Sequence, residues 1–315
     1  MNDMTPRRFK GSLLERAASL YDLTPRNPAL PAAAIEPAVV EPQGEGPTAH
    51  PVLPDCAVPS PVAAGPASPR TQTATIDRAL LADAGMIVPG AHVTTLAEEF
   101  RLVKRHLLQT SRAVADVQPE KARTILVCSA NPNDGKTFCA INLALSLAAE
   151  RDVEVLLVDA DFAKPDVLSR LGLSEGVGLL DTLADPSVCV EDYVVPTDIP
   201  QLALLSAGTK TIGDTELLAS GRARRVIDQL VSANPRRIVI FDSPPALAAS
   251  PASELAAHVG QVMVVVRADR TSEADLRTAV ELLNGCEHVQ FVLNAVAFQP
   301  GGRRFGSYYD QEPPK

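Results

Sequence analysis

The stretch "TILVCSANPNDGKTFCAINLALSLAAE", Thr124 to Glu150, decides how this chain is read. It opens with a short aliphatic run, turns through Asn, Pro, Asn, Asp and Gly, and closes in a long apolar run. The first run suits a buried strand, and the last suits a helix that is apolar on nearly all sides. Between them, "ANPNDGKT" keeps the spacing GxxxxGK[ST], with Ala130 in the place of the first glycine. A loop of this kind wraps phosphate oxygens with consecutive backbone N–H groups at a helix N-terminus, where the dipole favours negative charge. Gly135 permits close approach of the backbone, Lys136 is spaced to bridge the β- and γ-phosphates, and Thr137 to ligate Mg²⁺ through its hydroxyl. Ala130 has only to turn out of the strand, which alanine does while φ stays negative.

Outward from this loop, strand-like and helix-like runs alternate. "VEVLLVDAD" (153–161), "QLALLSAG" (201–208), "RRIVIFDS" (236–243), "QVMVVVRAD" (261–269) and "VQFVLNAV" (289–296) read as strands. Helical patterns fall near 137–150, 222–233 and 272–285, and Leu96, Phe100, Val103 and Leu107 line one face of another. Strands this uniformly apolar, alternating with helices, predict a doubly wound, mostly parallel α/β sheet covered on both faces. In such a sheet ligands sit outside the strand carboxyl ends. Asp159 and Asp161 end one strand and Asp242 ends another, so all three are expected to converge on the loop. Buried carboxylates beside bound phosphate repel it unless a cation intervenes, which implies Mg²⁺.

Composition narrows the field. The chain has 315 residues, 46% of them hydrophobic, and a net charge of -9. Acidity argues against a nucleic-acid partner, because a polyanion needs a basic face. Cys56, Cys128, Cys139, Cys189 and Cys286 are odd in number and scattered, which argues against a disulfide framework and for a reducing compartment. No apolar run is long enough to span a membrane. Twelve of the 27 prolines lie between Pro25 and Pro69, among Ala, Gly and Ser, and that segment reads as disordered. The organisation expected is therefore a short helical segment over 1–23, a Pro/Ala-rich linker over 24–74, a P-loop domain over 75–300 and a flexible tail over 301–315. The first segment is amphipathic and suits docking on a partner or a membrane surface.

Together these motifs resemble the bacterial tyrosine kinases (BY-kinases), specifically the exosortase-associated tyrosine autokinases of exopolysaccharide systems. The resemblance rests on "SANPNDGKTFCAINLALSLA", "VLLVDADFAKPDVLSRLGL", "GVGLLDTLAD", "TELLAS" and "IVIFDSPP". It implies a deviant-Walker P-loop fold related to ParA and MinD, ATP and Mg²⁺ as cofactors, and nucleotide contacts from Asn133, Asp134, Gly135, Lys136, Thr137 and Phe138. Lys136, Asp159 and Asp161 become the catalytic candidates, with Asp159 the base for a tyrosine hydroxyl. Thr137, Asp161 and Asp242 become the metal candidates, and Asn294 resembles an adenine-contacting asparagine. "EEFRLVK" resembles an oligomerisation signature, with Glu98, Arg101 and Lys104 in its three slots on one helical face. Tyr308 and Tyr309 resemble the autophosphorylated tyrosine cluster.

By the same resemblance the chain is a cytoplasmic homo-oligomer, a ring or dimer, recruited to the inner face of the plasma membrane by a chain-length-determinant activator. Departures are Ala163, where many members carry arginine, and Asn133-Asp134, where Gly-Glu is usual. A ParA/MinD-like cargo-positioning ATPase is the rival, though its signature lysine would fall at Asn131. A catalytically weak nucleotide-binding scaffold is the other.

Overall fold

The computed structural model describes residues 73–210 and 213–296. Its strands are β1 (Thr124–Ser129), β2 (Glu154–Asp159), β3 (Val195–Pro196), β4 (Leu202–Leu205), β5 (Arg237–Asp242), β6 (Gln261–Arg267) and β7 (Val289–Asn294). Its α-helices are α1 (Arg78–Asp83), α2 (Thr95–Ala115), α3 (Lys136–Ala148), α4 (Val167–Arg170), α5 (Leu179–Ala184), α6 (Asp214–Leu218), α7 (Gly221–Ser232), α8 (Pro251–Ala256) and α9 (Glu273–Leu282). Among the described residues the strands form one sheet in the order β3-β4-β2-β5-β1-β6-β7. Every pairing is parallel except that of the short β3, which runs antiparallel to β4. The chain is a doubly wound α/β protein, as its alternating runs predict.

Alternation along the central strands β1, β2, β5 and β6 explains why none of them shows a polar face. Ile125, Val127, Leu157, Ile240 and Val265 point to one side and pack with α3. Leu126, Cys128, Leu156, Val158, Phe241 and Val264 point to the other and pack beneath α5, α7 and α8. Both faces are covered, so both must be apolar; each large aliphatic side chain buried this way contributes about 1.5–3 kcal/mol. Helix α3 is buried along almost all its length, which accounts for its apolar sequence. Its one asparagine is satisfied within the core. Asn142 Oδ1 accepts from the Ile87 N–H at 2.8 Å, and its Nδ2 donates to the Phe138 carbonyl at 2.8 Å.

Some sequence expectations meet the structure differently. Ala74 lies within the span read as linker, yet its N–H donates to the Pro196 carbonyl at 2.9 Å and it bridges to Thr197. Composition marks where apolar residues resume, whereas backbone pairing at a sheet edge needs no apolar side chain. Lys104, expected on an exposed helical face, is instead buried against α3. Its ammonium donates to the Ser146 carbonyl at 3.0 Å and to Glu150 Oε1 at 2.6 Å. Glu98 and Arg101 pair with each other along α2. Helical spacing sets which residues share a face but not which way that face turns. Cys128, Cys139 and Cys286 are free and buried.

The remaining expectations on organisation, the 1–23 helical segment, most of the linker and the 301–315 tail with Tyr308 and Tyr309, lie outside the described residues. No helix among the described residues is long and apolar enough to cross a membrane.

Candidate phosphate-binding site

Three adjacent strands, β2, β5 and β1, deliver the site to one edge of the sheet. Beyond β1, Ala130 is fully buried and is not among the residues of positive φ, so alanine makes the exit turn without strain. The loop then passes through Asn133 at φ 67° and Gly135 at φ 100°, both left-handed, before α3 begins at Lys136. Asparagine tolerates that region better than most residues, and glycine adopts it freely. Gly135 answers to a second constraint. A Cβ there would stand 2.1 Å from Asn294 Nδ2, so the glycine admits a side chain of this chain itself. Inside the turn, Asp134 is fully buried; its Oδ2 accepts from the Asn131 N–H at 3.1 Å, while its Oδ1 has no hydrogen-bond partner.

Lys136 reaches across the loop mouth to Asp161, Nζ to Oδ2 2.6 Å, with both side chains about nine-tenths buried. Burial alone would depress the lysine, but the negative charges of Asp242, Asp161 and Asp159 outweigh it and hold its pKa above the usual value. Asp242 stands directly beside Asp159 in the β2–β5 register. Burial pushes Asp242 up to about 7, against the pull of Lys136 and a hydrogen bond from Thr137. Its Oδ1 is buried and accepts no hydrogen bond. One oxygen of this buried carboxylate is therefore left over for a further positive or donating partner.

Asp159 differs. Burial raises it to about 6, but its oxygens accept from the backbone N–H groups of Asp161, Asp166 and Val167 at 3.1, 2.9 and 3.0 Å. These bonds fix the turn after β2 and the start of α4. The oxygens of Asp159 thus face its own loop, and it is not among the residues that bound the adjoining cleft.

That cleft, about 460 Å³, is bounded by Pro132, Asn133, Gly135, Lys136, Thr137, Phe138, Asp161 and Pro244-Pro245, with Lys164, Asp166 and Arg170 at its far side. Lys164 and Arg170 escaped the sequence reading, because a turn rich in charges gives no period to follow. Asn294 donates from Nδ2 to the Asp134 carbonyl at 2.9 Å, and its Oδ1 accepts from the Ala295 N–H at 2.9 Å. Arg267 was also missed; its Nη1 donates to the Asn133 carbonyl at 2.9 Å. Its place at the carboxyl end of β6, next to the loop's own strand, is the signal that could have found it.

The donors suit a hard divalent cation: a threonine hydroxyl and an unpartnered carboxylate oxygen beside an anion-shaped loop. No group of three or more His, Cys, Asp or Glu side chains among the described residues is gathered to hold a metal alone. Magnesium needs no such cage, since it is usually held by one or two carboxylates together with substrate phosphates. The residues present fit the ion.

A central β1 leading through a glycine-lysine-threonine turn into a buried helix, with aspartates on the neighbouring strand ends, defines a P-loop NTPase-type fold of the deviant-Walker kind. Within that class the chain is similar to bacterial tyrosine-protein kinases. It is 29% identical over 191 residues to tyrosine-protein kinase YwqD of Bacillus subtilis, covering 61% of this chain and 76% of YwqD. It is 30% identical over 185 residues to EpsB of Ralstonia nicotianae, covering 58% of this chain but only 24% of EpsB. Among solved structures, the VpsO kinase domain superposes with a TM-score of 0.51 at 28% identity, over 62% of this chain and 97% of that domain. No family model matches.

Proposed function

We propose that the chain is an ATP-dependent protein-tyrosine autokinase serving exopolysaccharide synthesis or export. One observation carries the reading: Lys136 is held by Asp161 beside Asp242, one oxygen of which is buried without a partner, at a loop shaped for phosphate. Such a pair is built to exchange partners. An incoming triphosphate offers Lys136 charge-assisted hydrogen bonds, each contributing about 1.5–3 kcal/mol, and sets Asp161 free.

In this reading the loop N–H groups and Lys136 bind the β- and γ-phosphates. Thr137 and Asp242 would hold Mg²⁺, whose charge would offset repulsion between the polyphosphate and the three acids. Asp161, the cleft carboxylate beside Lys136, receives the phenol proton; Asp159 positions Asp161 through the turn they share. The bond from the γ-phosphorus to its bridging oxygen breaks as the bond to the phenol oxygen forms, and ADP leaves. Tyr308 and Tyr309 are the acceptors, presented by one copy to another. Oligomer contact along α2 then rests on Glu98 and Arg101, since Lys104 is held inside the domain. A membrane chain-length-determinant protein is the activator that brings the chain to the inner face of the plasma membrane.

Incubation of the purified chain with ATP and Mg²⁺, followed by phosphosite mapping, tests the reading. Phosphate on Tyr308 or Tyr309, lost in the Phe variants, supports it. Release of inorganic phosphate alone would mark a ParA-like ATPase, and no turnover at all a scaffold; either result overturns the kinase.

A further inference from the structure

Arg267 and Asn294 are partners in register at the carboxyl ends of β6 and β7. Each reaches the phosphate loop, and they take successive carbonyls: Arg267 Nη1 that of Asn133 and Asn294 Nδ2 that of Asp134, both at 2.9 Å. Neither residue lines the cleft that Gly135, Lys136 and Thr137 bound. In a planar trans peptide the C=O of one residue and the N–H of the next point in opposite directions. Pinning the two carbonyls toward β6 and β7 therefore turns the N–H groups of Asp134 and Gly135 the other way. Without such a hold, a non-glycine residue at φ 67° relaxes toward negative φ, because left-handed backbone costs about 1–3 kcal/mol at such a residue. Gly135 completes the device, since the absent Cβ leaves the space that the Asn294 amide fills.

We propose that Arg267 and Asn294 are positioning residues that clamp the Asn133 and Asp134 carbonyls and so hold the loop N–H groups aimed at a polyphosphate. The inference rests on the loop being the nucleotide site. It assigns Asn294 to the loop backbone. It also assigns Arg267 a task that needs a donor of the right reach, with no direct contact to phosphate.

Calorimetry on the full chain with Mg²⁺ and either ATP or inorganic tripolyphosphate tests it. Asn294→Ala and Arg267→Ala are each expected to weaken both ligands by about tenfold, as the loss of one hydrogen bond does. Saturating ATP should restore the rate, so that KM rises while kcat holds. Arg267→Lys, which keeps a donor, should recover most of the affinity, and ligand-free melting should change little in Arg267→Ala, whose side chain is only half-buried. Weakened ATP with unchanged tripolyphosphate would mean a base contact and would sink the clamp. Unchanged affinity for both ligands in Arg267→Ala would sink it equally, even if Asn294→Ala failed to fold. A wild-type chain that binds neither ligand refutes the nucleotide reading itself, a result distinct from either of these.

Discussion

Strands β2 and β5 lie side by side, and their two ends carry charge in opposite ways. At the amino ends, Glu154 faces Arg237 in register; at the carboxyl ends, Asp159 faces Asp242. Arg237 is buried and fully used: Nε donates to Glu154 at 2.8 Å, and Nη1 and Nη2 each to Glu191 at 2.7 Å. Its Nη1 also reaches the Leu230 carbonyl at 3.2 Å, and Asn234 binds the second oxygen of Glu154. At the other end two acids adjoin, one of them with an oxygen that nothing binds and a pKa pushed up to about 7. Arg237 is buried like the two aspartates, although its partners Glu154 and Glu191 stay partly exposed, and the outcome is opposite. Where every donor and acceptor is matched, charge ties elements together; where one is left over, the fold carries a strain that a ligand can relieve.

Breaking each end should therefore give different phenotypes. The largest effect is expected at the carboxyl end. Lys136→Ala should lower ATP-dependent phosphate transfer by at least about a hundredfold, the loss typical when a positioned charge donor is removed. A rate near wild type in a radiolabel transfer assay would end the reading of that lysine. Next comes Arg237→Ala, which leaves Glu154 and Glu191 facing each other without a cation. Removing one partner of a buried pair costs about 3–5 kcal/mol, and the 38% exposure of Glu191 places this case toward the lower figure. Urea unfolding should record that loss while transfer per folded molecule stays constant. If activity fell and stability did not, the division between the two ends would be wrong.

Asp242→Asn sharpens the comparison from the other side. It removes from beside Asp159 and Asp161 a carboxyl group whose pKa is pushed up to about 7, so above that pH the ligand-free chain should melt a few degrees higher, equivalent to about 1 kcal/mol. Turnover should fall at the same time. A lower melting temperature would show that Lys136 already balances the acids. The smallest effect is expected at the Glu98–Arg101 pair, whose arginine is half exposed. Arg101→Ala should change monomer stability by less than about 0.5 kcal/mol, so a shift to smaller particles in light scattering would report assembly rather than unfolding. Unchanged particle size would remove this face from the assembly.

Much of this was legible before any coordinates. The apolar strands declared a sheet buried on both faces, and the spacing from Ala130 to Thr137 declared an anion loop, because both are local patterns with one physical use. Strand-end aspartates followed from topology alone. What local pattern could not give was direction. Asp159 and Asp161 sit two residues apart at the same strand end, yet one binds its own turn and the other binds Lys136. Lys104 shares a helical face with Glu98 but turns inward.

By itself, then, the sequence determined the architecture, the loop and the set of ionisable groups brought to it, since these depend on periodicity and on residue type. The tertiary structure alone decided which acid faces the cleft, why residue 135 must lack a side chain, and that Arg267 and Asn294, more than 130 positions along the chain from the carbonyls they bind, shape the loop. Those choices depend on contacts between strands distant in sequence, where a hydrogen bond a few tenths of an ångström out of place is no bond at all.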